Sequence, residues 1–188
     1  MENTDKVKIH TEGTPNPNAL KFVSDKDIIQ SGTLNFVSKE SSAKSPLAQK
    51  LFGISCVKEV LIGKNFITVQ KSPDVIWDSI YEKLINEISK YLESKKPIVL
   101  EEKRLLDGDD KNISDVERKI MDILDNQIRP AVNSDGGDII FDSYEDGVLK
   151  LHLQGSCSHC PSSIMTLKAG IETMLKRQIP ELKEVISI

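Results

Sequence analysis

The apolar positions fall into short runs of two periodicities, and those runs divide the chain into two regions. In the first, β-favouring stretches at Val7 to Thr11 and Ala19 to Val23 flank Thr14-Pro15-Asn16-Pro17-Asn18. The prolines there exclude regular helix and favour an extended turn. Ser45-Pro46 sets a cap and an N1 proline ahead of Leu47, Ala48, Leu51 and Phe52, the spacing of a short amphipathic helix. Val57 to Ile62 and Phe66 to Gln70 read as a hairpin around Gly63-Lys64-Asn65. A longer helix is expected to begin at Ser72-Pro73 and to present Ile76, Ile80, Leu84, Ile88 and Tyr91 or Leu92 as one stripe.

From Ser94 to Asn112 the pattern breaks into Lys95-Lys96-Pro97 and then Asp107-Gly108-Asp109-Asp110, the charged, helix-breaking composition of a linker. Within it, Ile98-Val99-Leu100 is apolar enough to pair as a short strand. The second region opens with Ser114-Asp115-Val116-Glu117, a capping box, and a helix is expected to run to about Gln127. Arg129-Pro130 should stop it, and Asp135-Gly136-Gly137-Asp138 supplies residues able to take positive φ before Ile139-Ile140-Phe141. Glu145-Asp146-Gly147 turns the chain back. In the returning strand Leu149, Leu151 and Leu153 alternate with Lys150, His152 and Gln154, so one face is buried and the other wet. That strand runs into Gly155-Ser156-Cys157-Ser158-His159-Cys160. Pro161 and Ser162 then open a helix with Ile164, Leu167, Ile171, Met174 and Leu175 as core positions, and Val185 to Ile188 is a last short strand. The expected class is α+β: two small domains, the first β-rich, the second α-β-β-α-β with the C-x-x-C turn before a helix.

Composition supports this division. A chain of 188 residues, 38% hydrophobic and 29% charged, has apolar material for modest cores and is not polar enough to stay disordered. The formal net charge of -4 offers no basic field for a phosphate backbone, so protein partners are expected and nucleic acid is not. No apolar run approaches the roughly 20 residues of a membrane helix. The opening Met1-Glu2-Asn3-Thr4-Asp5-Lys6 resembles neither a secretory signal nor a transit peptide. The expected location is the cytoplasm, or the mitochondrial matrix if a presequence has been removed. Three cysteines, two of them only three positions apart, point to a reducing compartment and a site rather than to a disulfide framework.

That site is Cys157 and Cys160. At a strand-to-helix turn, free backbone N–H groups and the helix dipole favour negative charge, hence a reactive or metal-bound thiolate. A C-x-x-C pair on its own fits a cluster ligand, a zinc ligand or a dithiol redox pair. The redox reading is weakened because the only tryptophan, Trp77, lies in the other region, away from any thioredoxin-like pattern. Zinc stays open, since two chains can build a Cys₄ tetrahedron as well as supply the four thiolates of a [4Fe–4S] cluster.

The surrounding residues carry a resemblance. Val132-Asn133-Ser134-Asp135-Gly136-Gly137-Asp138, Gly155 through Ser163, and Met165-Thr166-Leu167-Lys168-Ala169-Gly170-Ile171-Glu172 closely resemble the C-terminal domain of NifU and the Nfu proteins. Thr14-Pro15-Asn16-Pro17-Asn18-Ala19-Leu20-Lys21-Phe22, Ser45-Pro46-Leu47-Ala48 and Phe66-Ile67-Thr68-Val69 resemble the N-terminal domain of bacterial and mitochondrial Nfu proteins. The resemblance implies residues 1–96 as an Nfu N-terminal domain, 97–112 as linker and 113–188 as a NifU-like cluster-binding domain. It further implies a non-enzymatic carrier of one [4Fe–4S] cluster, held by Cys157 and Cys160 of each of two subunits. The implied partners are upstream cluster-assembly proteins and the apo iron–sulfur proteins that receive the cluster. Two departures are visible: Cys56 where the family more often has glycine, and His159 inside the C-x-x-C, where small residues are common.

The remaining candidates read more plainly. Cys56 is expected to be a small buried hydrophobe, His159 to point outward, and His152 and His10 to be solvated. Asp135 and Asp138 cap and turn the backbone rather than forming an acid/base pair, and no catalytic constellation is evident. Asp107, Asp109 and Asp110 belong to a solvated linker. Met174 is expected in the core, whereas Met165 follows the site closely enough to shield a cluster or a partner surface.

Overall fold

The computed structural model describes residues 6–100, 113–158 and 161–188, with the backbone alone for 161–164. The chain divides into two compact units, Met1–Glu102 and Lys103–Ile188. No helix among the described residues is long and apolar enough to cross a membrane.

The first unit is a five-stranded antiparallel sheet in the order β1-β2-β5-β4-β3. Its strands are β1 (Ile9–Gly13), β2 (Ala19–Ser24), β3 (Leu34–Phe36), β4 (Val57–Ile62) and β5 (Phe66–Lys71). The helices are α1 (Pro46–Phe52) and α2 (Tyr81–Glu93). The expected cap at α1 is present, with the Ser45 hydroxyl accepting the Ala48 N–H. Phe22, Val60, Ile67 and Val69 from the sheet pack with Leu47, Leu51, Leu84 and Ile88 from the helices in one core, and Cys56 is buried among them. In the β4–β5 hairpin a side chain at Gly63 would come within 2.3 Å of the buried Phe66 ring, which would have to shift to admit it.

Three details depart from the sequence reading. The three-residue strand β3 was not expected; it pairs with β4 through Leu34↔Ile62. Helix α2 starts at Tyr81, not at Ser72-Pro73. Trp77–Ser79 form a separate 3₁₀ turn, held by the Trp77 indole donating to the Pro17 carbonyl at 3.0 Å. Ile76, assigned to the buried stripe, is consequently 70% exposed. Finally, Ile98 to Leu100 forms no strand but is fastened to the first unit. Ser45 donates to the Ile98 carbonyl at 2.8 Å, Tyr91 to that of Pro97 at 2.7 Å, and the Leu100 N–H to that of Lys44 at 2.9 Å. The acidic stretch 107–110 lies outside the described residues.

The second unit has the expected α-β-β-α-β order. It contains α3 (Asp115–Ile123), α4 (Arg129–Ser134), β6 (Gly137–Glu145), β7 (Val148–Gly155), α5 (Pro161–Gln178) and β8 (Glu184–Ser187). The capping box is complete, Ser114 accepting the Glu117 N–H while Glu117 accepts that of Ser114. These bonds hold the Glu117 carboxyl below the usual glutamate range. Strands β6 and β7 join through Asp146 and Gly147, both with positive φ, the geometry that matches strand twist in a two-residue hairpin. Strand β8 lies parallel to β7, a pairing that requires a crossover, and α5 supplies it. Ile120, Leu124, Ile128, Ile139, Leu149, Leu151, Ile171, Leu175 and Val185 form the core.

Two expectations fail here. Arg129-Pro130 does not stop the first helix: a π turn at Leu124–Ile128 joins α3 to α4, with the Arg129 N–H bonded to the Leu124 carbonyl five residues back. Pro130 can neither donate to the carbonyl four residues earlier nor approach it closely, and the wider turn just before it accommodates both constraints. Met174 is 37% exposed rather than in the core; Ile171 and Leu175 occupy the inward face of α5 instead.

Candidate functional site

The turn that carries Cys157 is built by two segments far apart in sequence. Gly137 at the head of β6 pairs with Gly155 at the foot of β7, which brings Asp135-Gly136-Gly137-Asp138 against Gly155-Ser156-Cys157-Ser158. Gly136 and Gly155 both take positive φ, which lets each segment bend sharply beside the other. The Ser156 N–H donates to the Gly136 carbonyl at 3.2 Å and its buried hydroxyl to the Asp135 carbonyl at 2.6 Å. Ser158 closes the turn, its N–H and its hydroxyl both donating to the Gly155 carbonyl, at 3.1 and 2.8 Å.

A partly buried ion pair fixes the head of β6. Arg129 Nε donates to Asp138 Oδ1 at 3.1 Å, and a second guanidinium nitrogen donates to the Ile139 carbonyl at 2.9 Å. The same Asp138 oxygen accepts the Ile139 N–H at 2.8 Å. Sequence reasoning took Asp138 for a turn residue and assigned Arg129 nothing beyond the helix stop. The signal it missed is the cation placed beside the proline that forces the π turn, the type of interruption that often marks functional sites.

Cys157 sits within this frame, 5% exposed and in the core of the unit. Its sulfur lies so close to the backbone of Gly137 that a Cβ on that residue would come within 2.5 Å of it. Cys160 and His159, and the side chain of Ile164, lie outside the described residues. Helix α5 leaves the turn at Pro161, and Met165 on it is 75% exposed. The other sequence candidates are dispersed. Cys56 is buried in the first unit, His10 contacts Glu12, and His152 is half-exposed with Nε2 3.3 Å from Asp142 Oδ1. Among the described residues no group of three His, Cys, Asp or Glu side chains converges to hold a metal ion. Of the C-x-x-C pair the structure describes Cys157 alone, and a cysteine thiolate is a donor suited to iron–sulfur groups or zinc.

Comparison with known proteins shows the family. Residues 9–95 match the family described as "Scaffold protein Nfu/NifU N terminal" and residues 120–186 match the "NifU-like domain". The chain is 42% identical over 178 residues to the human protein named NFU1 iron-sulfur cluster scaffold homolog, mitochondrial, which covers 94% of this chain and 70% of that protein. Proteins of the same name from Drosophila persimilis and Drosophila grimshawi are each 42% identical over 183 residues and 94% of this chain, which spans 64% and 60% of their lengths. A solution NMR structure of a NifU-like protein from Saccharomyces cerevisiae is 29% identical, with a TM-score of 0.48 over 54% of this chain and 92% of that one.

Proposed function

Because the chain belongs to the Nfu/NifU family of scaffold proteins, we propose that it is an iron–sulfur cluster carrier that binds a [4Fe–4S] cluster through Cys157 and Cys160 and passes it to apo-proteins. The observation that carries this reading is the convergence of the Gly136-Gly137 loop and the Gly155-Ser156 turn on Cys157 at the entrance to α5. The cluster is cargo here, not a resident catalyst. Each chain offers two thiolates in that turn, and a second copy would supply the other two. A bridged cluster lies between subunits, where a recipient's thiolates can displace the carrier's one by one.

The first unit holds no part of the proposed ligand set, and its role is assigned to recognition of cluster donors or recipients. Of the two compartments expected, the relatives' names favour the mitochondrial one. The test is iron and acid-labile sulfide analysis after anaerobic reconstitution. Four irons and four sulfides per two chains, with broad absorbance near 400 nm, are expected. Zinc without sulfide in the freshly purified protein would instead favour a zinc-bound structural dimer. Catalytic turnover of a disulfide substrate by a protein that never retains iron would favour a dithiol redox protein.

A further inference from the structure

We propose that Gly137 is a positioning residue: the space left by its missing side chain is a seat that holds the Cys157 sulfur inward in the cluster-free chain, and the sulfur leaves this seat to bind iron. The exit step rests on the reading of Cys157 as a cluster ligand; the seat itself does not.

Three observations carry the proposal. First, Gly137 is not among the glycines with positive φ, whereas Gly136 beside it is. Backbone conformation therefore does not demand glycine at 137, and space does. A Cβ there would lie 2.5 Å from Cys157 Sγ, 2.9 Å from the Gln154 carbonyl oxygen and 3.2 Å from Cys157 Cβ. The nearest atom is a sulfur on a short side chain, and the next is backbone of the paired strand, which cannot give way cheaply.

Second, both walls of the seat are fixed independently of any cargo. Arg129 and Asp138 hold the head of β6 on one side, and on the other the Ser156 hydroxyl ties the turn to the Asp135 carbonyl. Third, Cys157 is almost fully buried. A cysteine that shares a cluster with the cysteines of a second chain must present its sulfur at the surface where the chains meet, and a sulfur packed against Gly137 does not. Loading therefore requires rotation of the Cys157 side chain or a shift of the Ser156–Ser158 turn. On leaving, the thiol gives its proton to solvent and the sulfur takes an iron position vacated by a departing donor thiolate; no electron is transferred. While seated, the sulfur is withdrawn from the oxidants and electrophiles that attack exposed thiolates.

Site-resolved labelling with iodoacetamide, read by mass spectrometry on the reduced, cluster-free full chain, tests this. In the native wild-type chain Cys157 is expected to label at least about tenfold more slowly than in urea, as for a group that reacts only through local opening. Gly137→Ala should raise the native rate about fivefold or more while leaving Cys56, in the other unit, unchanged. If that variant loses its far-UV circular dichroism, Ser156→Ala, which removes a tie without adding volume, should raise the rate at least about twofold. Native wild-type labelling at the urea rate, or a folded Gly137→Ala chain labelling like wild type, would overturn the seat. Parallel reconstitution separates the two readings. Protection without any cluster loading would sink the carrier function and the exit step but leave the seat, whereas loading without protection would sink the seat and leave the function.

Discussion

Arg129 Nε meets Asp138 Oδ1 at 3.1 Å, where the π turn delivers the guanidinium to the first strand of the second unit. The aspartate side chain is 3% exposed and the arginine 32%, and the outer guanidinium nitrogen also reaches Asp125 at 2.6 Å. Removing the cation leaves a buried carboxylate without its charge partner, the costly way to break such a pair. Arg129→Ala is therefore expected to destabilise the second unit by about 2–4 kcal/mol in urea titration, less than for a fully buried pair because the arginine is partly solvated. Arg129→Lys should recover only part of this, since one ammonium cannot reach Asp138, Asp125 and the Ile139 carbonyl together. A loss below about 0.5 kcal/mol for the alanine variant, the range of ordinary surface substitutions, would show that the pair does not hold the strand head.

Acid should loosen the crossover between α5 and β8. Glu172 takes the Lys176 ammonium at 2.5 Å on one oxygen and the Val185 N–H at 3.1 Å on the other. The hydrogen bond from Lys176, followed by that from the Val185 backbone, holds its carboxyl below the usual glutamate range. The unfolded chain thus binds this proton more readily than the folded one. The contribution is complete above the unfolded value of about 4.3 and is lost as pH falls through the lowered folded value. Because the group is partly solvated, the effect is at most about 1 kcal/mol. Stability curves of wild type and Glu172→Gln should lie apart at pH 6 and converge by about pH 3. Curves that stay parallel would mean that the carboxylate charge contributes nothing.

Much of this arrangement was legible because local chemistry and tertiary packing ask for the same thing. The capping box at Ser114 and the Asp146-Gly147 turn are satisfied by neighbours in sequence, and the alternation along β7 turns Leu149 and Leu151 into the core. What escaped depends on contacts across the fold. Ile76 continues the apolar stripe in sequence, yet the Trp77 bond to Pro17 breaks the helix before it. Leu34 to Phe36 is too short for a period and becomes a strand only through its pairing with β4. In sequence Gly136 and Gly137 look equivalent. They are separated only when the register sets Gly137 opposite Gly155 and brings the Cys157 sulfur over it, leaving Gly136 to supply the bend.

The two units should be separable in function as they are in contact density. All proposed ligands lie in the second, so a chain of residues from about 110 to 188 is expected to load a cluster to the level of the full protein. Removal of residues 1 to about 96 should alter transfer to some recipients without altering loading. The expected readout is iron and sulfide content of the fragment after reconstitution, followed by transfer to two different apo-proteins. A folded fragment that loads nothing would show that the first unit completes the site.

Cluster loading and association of two chains are expected to be one event. The proposed C-x-x-C ligand pair supplies two thiolates per chain, and Cys56 is buried in the core of the first unit, so the proposal takes the other two from a second chain. A unit of this size buries limited surface, and contacts between two of them would gain most of their strength from the bridging cluster. Cys157→Ala or Cys160→Ala should abolish stable loading and cluster-dependent dimerisation together, because each leaves two of four thiolate positions empty across the pair. Cys56→Ala removes a buried sulfur from a different core, and should cost stability in the first unit, about 1 kcal/mol, while sparing both loading and dimerisation. Light scattering of loaded and cluster-free protein reads the outcome. A loaded, stable monomer carrying four irons would defeat the bridge even with the carrier function intact, since its remaining ligands would then have to come from within one chain.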